Sequence, residues 1–195
     1  MTTKLALITL QDVKRNKDVL AFIDAADQVM DALGYTEHGQ RHANLVAHIA
    51  ENILTRLQFP DRRCQLAAIA GFLHDVGNMV NREHHGLTGA MLALELLKPM
   101  GMDMAEIATI MAAIGNHEEE EGDPVSDISA AIILADKSDV HRTRVRNPDM
   151  TAFDIHDRVN YAAHYSFLRV DEERKTIGLE IAIDTEISAL MDYFE

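Results

Sequence analysis

Apolar residues recur at three- and four-residue spacing through most of this chain and at every second position near its end, a pattern that predicts a helical body followed by a short β-hairpin. Thr9, Leu10, Gln11 and Asp12 form a capping box opening a short helix, in which hydroxyl and carboxylate each take a backbone N–H that the first turn leaves unpaired. Val19, Leu20, Phe22, Ile23, Ala26, Val29, Met30 and Leu33 then carry a helical stripe as far as Gly34. Leu45, Val46, Ile49, Ile53 and Leu57 mark a long helix that ends before Pro60, and Leu66, Ile69, Ala70 and Leu73 mark the next, closed at Gly77. Another stripe runs from His85 through Met91, Leu92, Leu94, Leu96 and Leu97 to Pro99. Met104, Ile107, Ile110, Met111 and Ile114 carry the following one to Gly115. Ser126 can cap a last helix with Ile128, Ala131, Ile132 and Ala135 inside.

The period then changes. Residues 165–170 and 176–184 read as strands around the polar turn 171–175, with Ile177, Leu179, Ile181 and Ile183 on one face. A lone hairpin is marginal in water, so it must pack on the helices or on a second subunit, and its open edge makes a homodimer contact plausible. Residues 185–195 resume helical spacing with Ile187, Leu190, Met191 and Phe194. The expectation is a mainly α protein: a helical domain over residues 1–160, and over residues 161–195 a β-hairpin and helix packed on it.

Composition narrows the function classes. The chain has 195 residues, 47% of them hydrophobic, enough for one domain with a proper core. No apolar run approaches the roughly 20 residues that span a bilayer, and residues 5–10 are too short and poorly flanked for a secretory signal. Cys64 stands alone, which rules out an internal disulfide or a thiolate metal cluster and agrees with a cytoplasmic location. A net charge of −14 argues against binding nucleic-acid polymers or anionic membranes. An anionic substrate must therefore meet positive charge concentrated locally, and Lys137, Arg142, Arg144 and Arg146 form such a cluster. Residues 118–121, all glutamate, read as a solvated connection.

Ten histidines against six phenylalanines and no tryptophan is an unusual balance, and their positions explain it. His42 extends the stripe of Leu45 and Val46 inward. His74 lies one turn beyond Ala70, with Asp75 next to it. His85 opens a helix, His117 closes one, and Asp136 lies one turn beyond Ile132. Adjacent helical side chains diverge by about 100°, so His74 and Asp75 can serve one centre only at a helix end with partners converging from elsewhere. Four imidazoles and two carboxylates exceed what one ion normally takes from protein while keeping an open position, which suggests two ions. Asp75, with two oxygens, is the natural bridge. His42, His74, Asp75 and Asp136 then hold one ion, and Asp75, His85 and His117 the other. Nitrogen and oxygen donors without thiolate suit divalent iron, manganese, cobalt or zinc.

The ordered set His42, His74-Asp75, His85 within His-Gly-Leu-Thr-Gly-Ala, His117 and Asp136 within Ala-Asp-Lys resembles that of the HD-domain metal-dependent phosphohydrolases, over roughly residues 36–146. The resemblance implies a helical bundle with the ions between helices and a metal-activated water attacking a phosphoester. His38, one turn before His42, stands where some trinuclear relatives carry a further ligand. The chain departs from the cyclic-dinucleotide subgroup in having Asn78 for lysine after the pair, Asn116 for a second histidine, and no Gly-Tyr-Pro signature. The expected reaction is hydrolysis of a phosphomonoester or phosphoanhydride in a small nucleotide-like substrate. Asp75 and Lys137 are the expected catalytic groups, Arg142, Arg144 and Arg146 hold phosphate, and His84 or His141 protonates the leaving group. The same ligand order also resembles the HD-fold di-iron oxygenases. A metal-stabilised protein that binds an anionic ligand without turnover is the third reading.

Overall fold

The computed structural model describes residues 7–118 and 122–194. Eight α-helices and one two-stranded antiparallel sheet occur among them: α1 (Leu10–Arg15), α2 (Lys17–Ala32), α3 (Gln40–Arg56), α4 (Asp61–Leu73), α5 (His85–Leu97), α6 (Met104–Gly115), α7 (Asp127–Lys137), α8 (Ile155–Ala162), β1 (Ala163–Asp171) and β2 (Thr176–Ile183). The start signals act as expected. Thr9 and Asp12 close a reciprocal capping box on α1, and Ser126 does the same with Ser129 on α7.

α4 is the centre of the bundle. Its buried residues include Leu66, Ala68, Ile69, Ala70, Phe72 and Leu73, which leave no polar face over that stretch, as a helix enclosed on all sides requires. α3, α6 and α7 pack around it, and α5 packs on α6. The approach of α3 is close: a Cβ on Gly71 would lie 3.2 Å from Ala47 Cα. Beyond α4 the chain makes a 3-10 turn over Val76–Met79. Only glycine fits at position 77, because a Cβ there would meet the His85 carbonyl oxygen at 1.9 Å. That contact holds the start of α5 against the end of α4.

β1 and β2 pair in register from Tyr165↔Ala182 to Asp171↔Thr176, after an irregularity between Ala163 and Tyr165. Leu168 enters the main core, Val170 packs against it, and the Ser166 hydroxyl donates to the Ser138 carbonyl (2.6 Å). A second apolar cluster of Val140, Val159 and Ala163, with Ile155, Ile181 and Tyr193 against it, ties α8 and the hairpin together. Ile177 and Leu179 lie opposite Val170 and Leu168 yet stay 38% exposed, so β2 is less covered than its alternating pattern suggests. Tyr165 and Phe167 stack on the other face, their centroids 6.2 Å apart.

The helix expected over residues 185–195 is not formed. Its last residue lies outside the described ones, and residues 185–194 contain only a 3-10 turn at Leu190–Phe194. Asp192 accepts there from the Ser188 hydroxyl and the Ala189 N–H (2.9 and 3.2 Å), and such local side-chain bonds compete with a helix. Leu190, Met191 and Phe194 are exposed, so no packed face rewards helix formation. Among the described residues, no helix is long and apolar enough to cross a membrane.

Candidate metal centre

Six side chains from five segments meet at one end of the bundle. His42 sits in the first turn of α3, His74 caps the C-terminus of α4, and Asp75 leads into the 3-10 turn. His84, in the left-handed region at φ 58°, turns the chain so that His85 opens α5. His117 follows the end of α6, and Asp136 lies in the last turn of α7. His42, His74, His85, His117 and Asp75 are buried, while the Asp136 side chain is 27% exposed and marks the open side.

The tautomers follow from what each Nδ1 faces. His74 donates from Nδ1 to the Gly71 carbonyl (2.8 Å) and His117 to the Ile114 carbonyl (2.7 Å), each a carbonyl in the last turn of the helix before it. His42 Nδ1 lies 2.7 Å from Asp139 Oδ2, and His85 Nδ1 lies 2.7 Å from Glu118 Oε1. All four neutral rings therefore present an Nε2 lone pair to the centre. Those nitrogens approach one another: His42 and His74 at 3.2 Å, His85 and His117 at 3.2 Å.

Asp75 lies between the pairs. Its Oδ2 is 3.5 Å from His42 Nε2 and 3.4 Å from His74 Nε2, and its Oδ1 is 3.2 Å from His85 Nε2. Asp136 Oδ1 is 3.2 Å from His42 Nε2 and 3.6 Å from His74 Nε2. Lone pairs facing carboxylates are acceptors without donors, an arrangement stable only around positive charge. Asp75 Oδ2 is buried and has no hydrogen-bond partner, which a cation would supply. The donors therefore fit a divalent metal. Two sets converge closely enough to share an ion, His42-His74-Asp136 and His74-Asp75-His117, so His74 belongs to both.

The electrostatics agree. Burial and the Arg144 charge work against protonating His42, but Asp136, Asp139 and Asp75 outweigh them and raise its pKa to about 10: the site draws in positive charge. His117 is pushed down to about 4 by burial and by the His74 ring, and stays a neutral donor. Asp75 and Asp136 remain ionised despite burial, because the histidines around them hold their pKa values well below the usual range.

Two further residues complete the centre. Asp139, 2% exposed, accepts from His42 and from both terminal nitrogens of Arg41 (3.1 and 2.8 Å). Glu118, expected in a solvated connection, instead reaches His85 and accepts from the Gly86 N–H (3.3 Å); residues 119–121 lie outside the described ones. Neither stands out in sequence, since Asp139 interrupts a basic run and Glu118 begins an acidic one. Asn78 donates to Asp75 Oδ1 (2.9 Å), and an Arg82 terminal nitrogen lies 3.1 Å from both His85 ring nitrogens, over the ring.

The three arginines of the basic cluster do not converge on the metal centre. Arg144 is buried and donates to the Glu37 and Asp139 carbonyls and to His38. Arg146 pairs with Asp27 and Asp31 on α2. Arg142 donates to the Tyr161 carbonyl and to His164. All three guanidiniums are committed within the protein, because folding brings carboxylates and carbonyls to them that sequence does not reveal. His38 is likewise engaged: its Nδ1 donates to the Thr36 carbonyl and its Nε2 accepts from Arg144, so neither ring nitrogen is left for a further metal. Lys137 and His84 are exposed next to Asp136 and His85, and His141 faces Thr143.

Comparison with known proteins adds two findings. A family model described as HD domain matches residues 39–144, which contain every member of the centre. An uncharacterized protein of Methanocaldococcus jannaschii is 28% identical over 196 aligned positions, covering 88% of this chain and 74% of its own. No solved structure matches.

Proposed function

The chain belongs to the HD-domain family, and from that premise we propose that it is a phosphohydrolase cleaving a phosphomonoester or phosphoanhydride of a small, nucleotide-like substrate. Divalent-metal binding and the character of a metal-dependent hydrolase come with the family. The reaction rests on one observation: a buried carboxylate, Asp75, with one oxygen toward His42 and His74 and the other toward His85. Those two directions support a bridging role for Asp75, and the proposal is a dinuclear centre that His42, His74, Asp75, His85, His117 and Asp136 would hold.

When bound, such ions polarise a phosphoryl group and make a bound water nucleophilic near neutral pH. The remaining work falls to the chain. Asp139 and Glu118 hold the Nδ1 protons of His42 and His85, which keeps both Nε2 atoms directed inward. Asn78 steadies Asp75 through Oδ1. Lys137, exposed beside Asp136 at the end of α7, is the candidate for contact with phosphate oxygens, and His84 is the candidate proton donor to the leaving group. Arg144 and Arg146 are given no part, their charges being used in the fold.

Phosphate release from p-nitrophenyl phosphate and a panel of nucleotides, with protein loaded in turn with manganese, iron, cobalt and zinc, tests the proposal. Activity with at least one metal, lost in Asp75→Ala, is expected. Equal turnover by Asp75→Ala refutes it, as does oxygen consumption by the iron form without phosphate release.

A further inference from the structure

A cavity of about 340 Å³, open to solvent on one side, is lined by α3, the segment after α7 and β1. None of the six metal-centre side chains lines it. Its apolar walls are Leu45, Ile49, Val140 and Leu168, and the Arg41–Asp139 pair forms its polar end. The volume falls within the range of small-molecule sites, roughly 300–1,000 Å³.

Two serines and a histidine in this cavity have fixed hydrogen-bonding directions. Ser138 Oγ donates to the Ala135 carbonyl (2.7 Å) and Ser166 Oγ to the Ser138 carbonyl (2.6 Å), so both oxygens can only accept from a ligand. His141 Nδ1 accepts from the Thr143 N–H (3.3 Å), which puts its proton on Nε2 and makes that atom a donor. Charge is balanced at the polar end. Arg41 bonds to Asp139 and Glu37, and Arg144 lies 3.6 Å from Asp139, so two guanidiniums meet two carboxylates. An anion finds no uncompensated positive charge there.

We propose that this cavity binds a neutral heteroaromatic molecule of nucleobase or nucleoside size. The apolar walls take the ring. The serine oxygens take ring or sugar N–H and O–H groups, and His141 donates to a carbonyl or ring nitrogen. The site also touches the metal centre through a short chain: the ligand contacts Arg41, Arg41 holds Asp139, and Asp139 orients His42. Occupancy is therefore linked to metal affinity. The binding itself is independent of the reaction proposed above, whereas any effect on turnover rests on that reading.

Titration calorimetry of metal-loaded protein with adenosine, guanosine, cytidine and uridine is the test. At least one nucleoside is expected to bind at a single saturable site with Kd below about 1 mM. Leu45→Phe, which fills the cavity, and Ser166→Val, which removes an acceptor, are each expected to weaken that binding at least tenfold while metal content is unchanged. The absence of saturable binding by all four nucleosides overturns the proposal, as does binding undiminished in both variants. The linkage is read from the metal Kd with and without saturating nucleoside: a shift of about fivefold or more, lost in Arg41→Met, is expected. An unchanged metal Kd refutes the linkage. Phosphate release plays no part in these readouts, so a failure of the hydrolase reading registers separately.

Discussion

Replacing Asp139 by asparagine changes one atom of a buried network and leaves its shape intact. In the native protein the carboxylate faces His42 Nδ1 at 2.7 Å and both terminal nitrogens of Arg41. An asparagine can offer either its oxygen to His42 and its amide to Arg41, where donor meets donor, or the reverse. In the reverse case the imidazole must move its proton to Nε2, which lies 3.2 Å from both His74 Nε2 and Asp136 Oδ1. A proton there occupies the lone pair that would bind metal. Either outcome costs the centre a preorganised ligand, and loss of such an orienting group typically lowers metal affinity about 10- to 100-fold, or about 1.4–2.7 kcal/mol. Calorimetric titration of chelator-stripped protein with manganese gives the affinity directly, and circular dichroism checks the fold. Folded Asp139→Asn with metal affinity within about twofold of the native protein refutes the role given to Asp139.

Two other perturbations separate packing from chemistry. Gly77→Ala puts a methyl group against the His85 carbonyl oxygen, so α5 must move away from α4; the expected loss is at least about 2 kcal/mol in urea unfolding, with weaker metal binding, and a loss under about 0.5 kcal/mol contradicts the packing argument. His38 is held neutral, its pKa lowered to about 3 by burial and by Arg144. Unfolding lets it take a proton at any pH below its ordinary value of 6.5, so its contribution is intact above that value and is lost as pH falls toward 3, at up to about 1.4 kcal/mol per pH unit. His38→Gln should flatten the acid side of the stability profile between pH 6 and 4 by close to one proton; an unchanged slope means that His38 is not the group titrating.

Features written locally were legible in the sequence. The capping box at Thr9 and the cap at Ser126 are local, and the histidines at helix ends extend apolar stripes that can be counted along the chain. The partners of those histidines were not legible. Asp139 is 97 positions from His42, and Arg144 is 107 from Glu37; their meeting depends on how α3 and the segment after α7 dock, which no local pattern encodes. For the same reason three arginines that read as a phosphate site are tied to α2, to the Asp139 backbone and to α8. The terminal segment shows the reverse error: helical spacing at Ile187, Leu190 and Met191 had no surface to pack on, and local bonds to Asp192 prevailed.

In the proposed function Asp75 joins two metal sites. Calorimetric titration of chelator-stripped protein with manganese, with bound metal counted by elemental analysis, tests it most directly. Two ions per chain are expected in the native protein and no more than one in Asp75→Ala. A native chain that saturates with a single ion, or an Asp75→Ala variant that still holds two, contradicts the account.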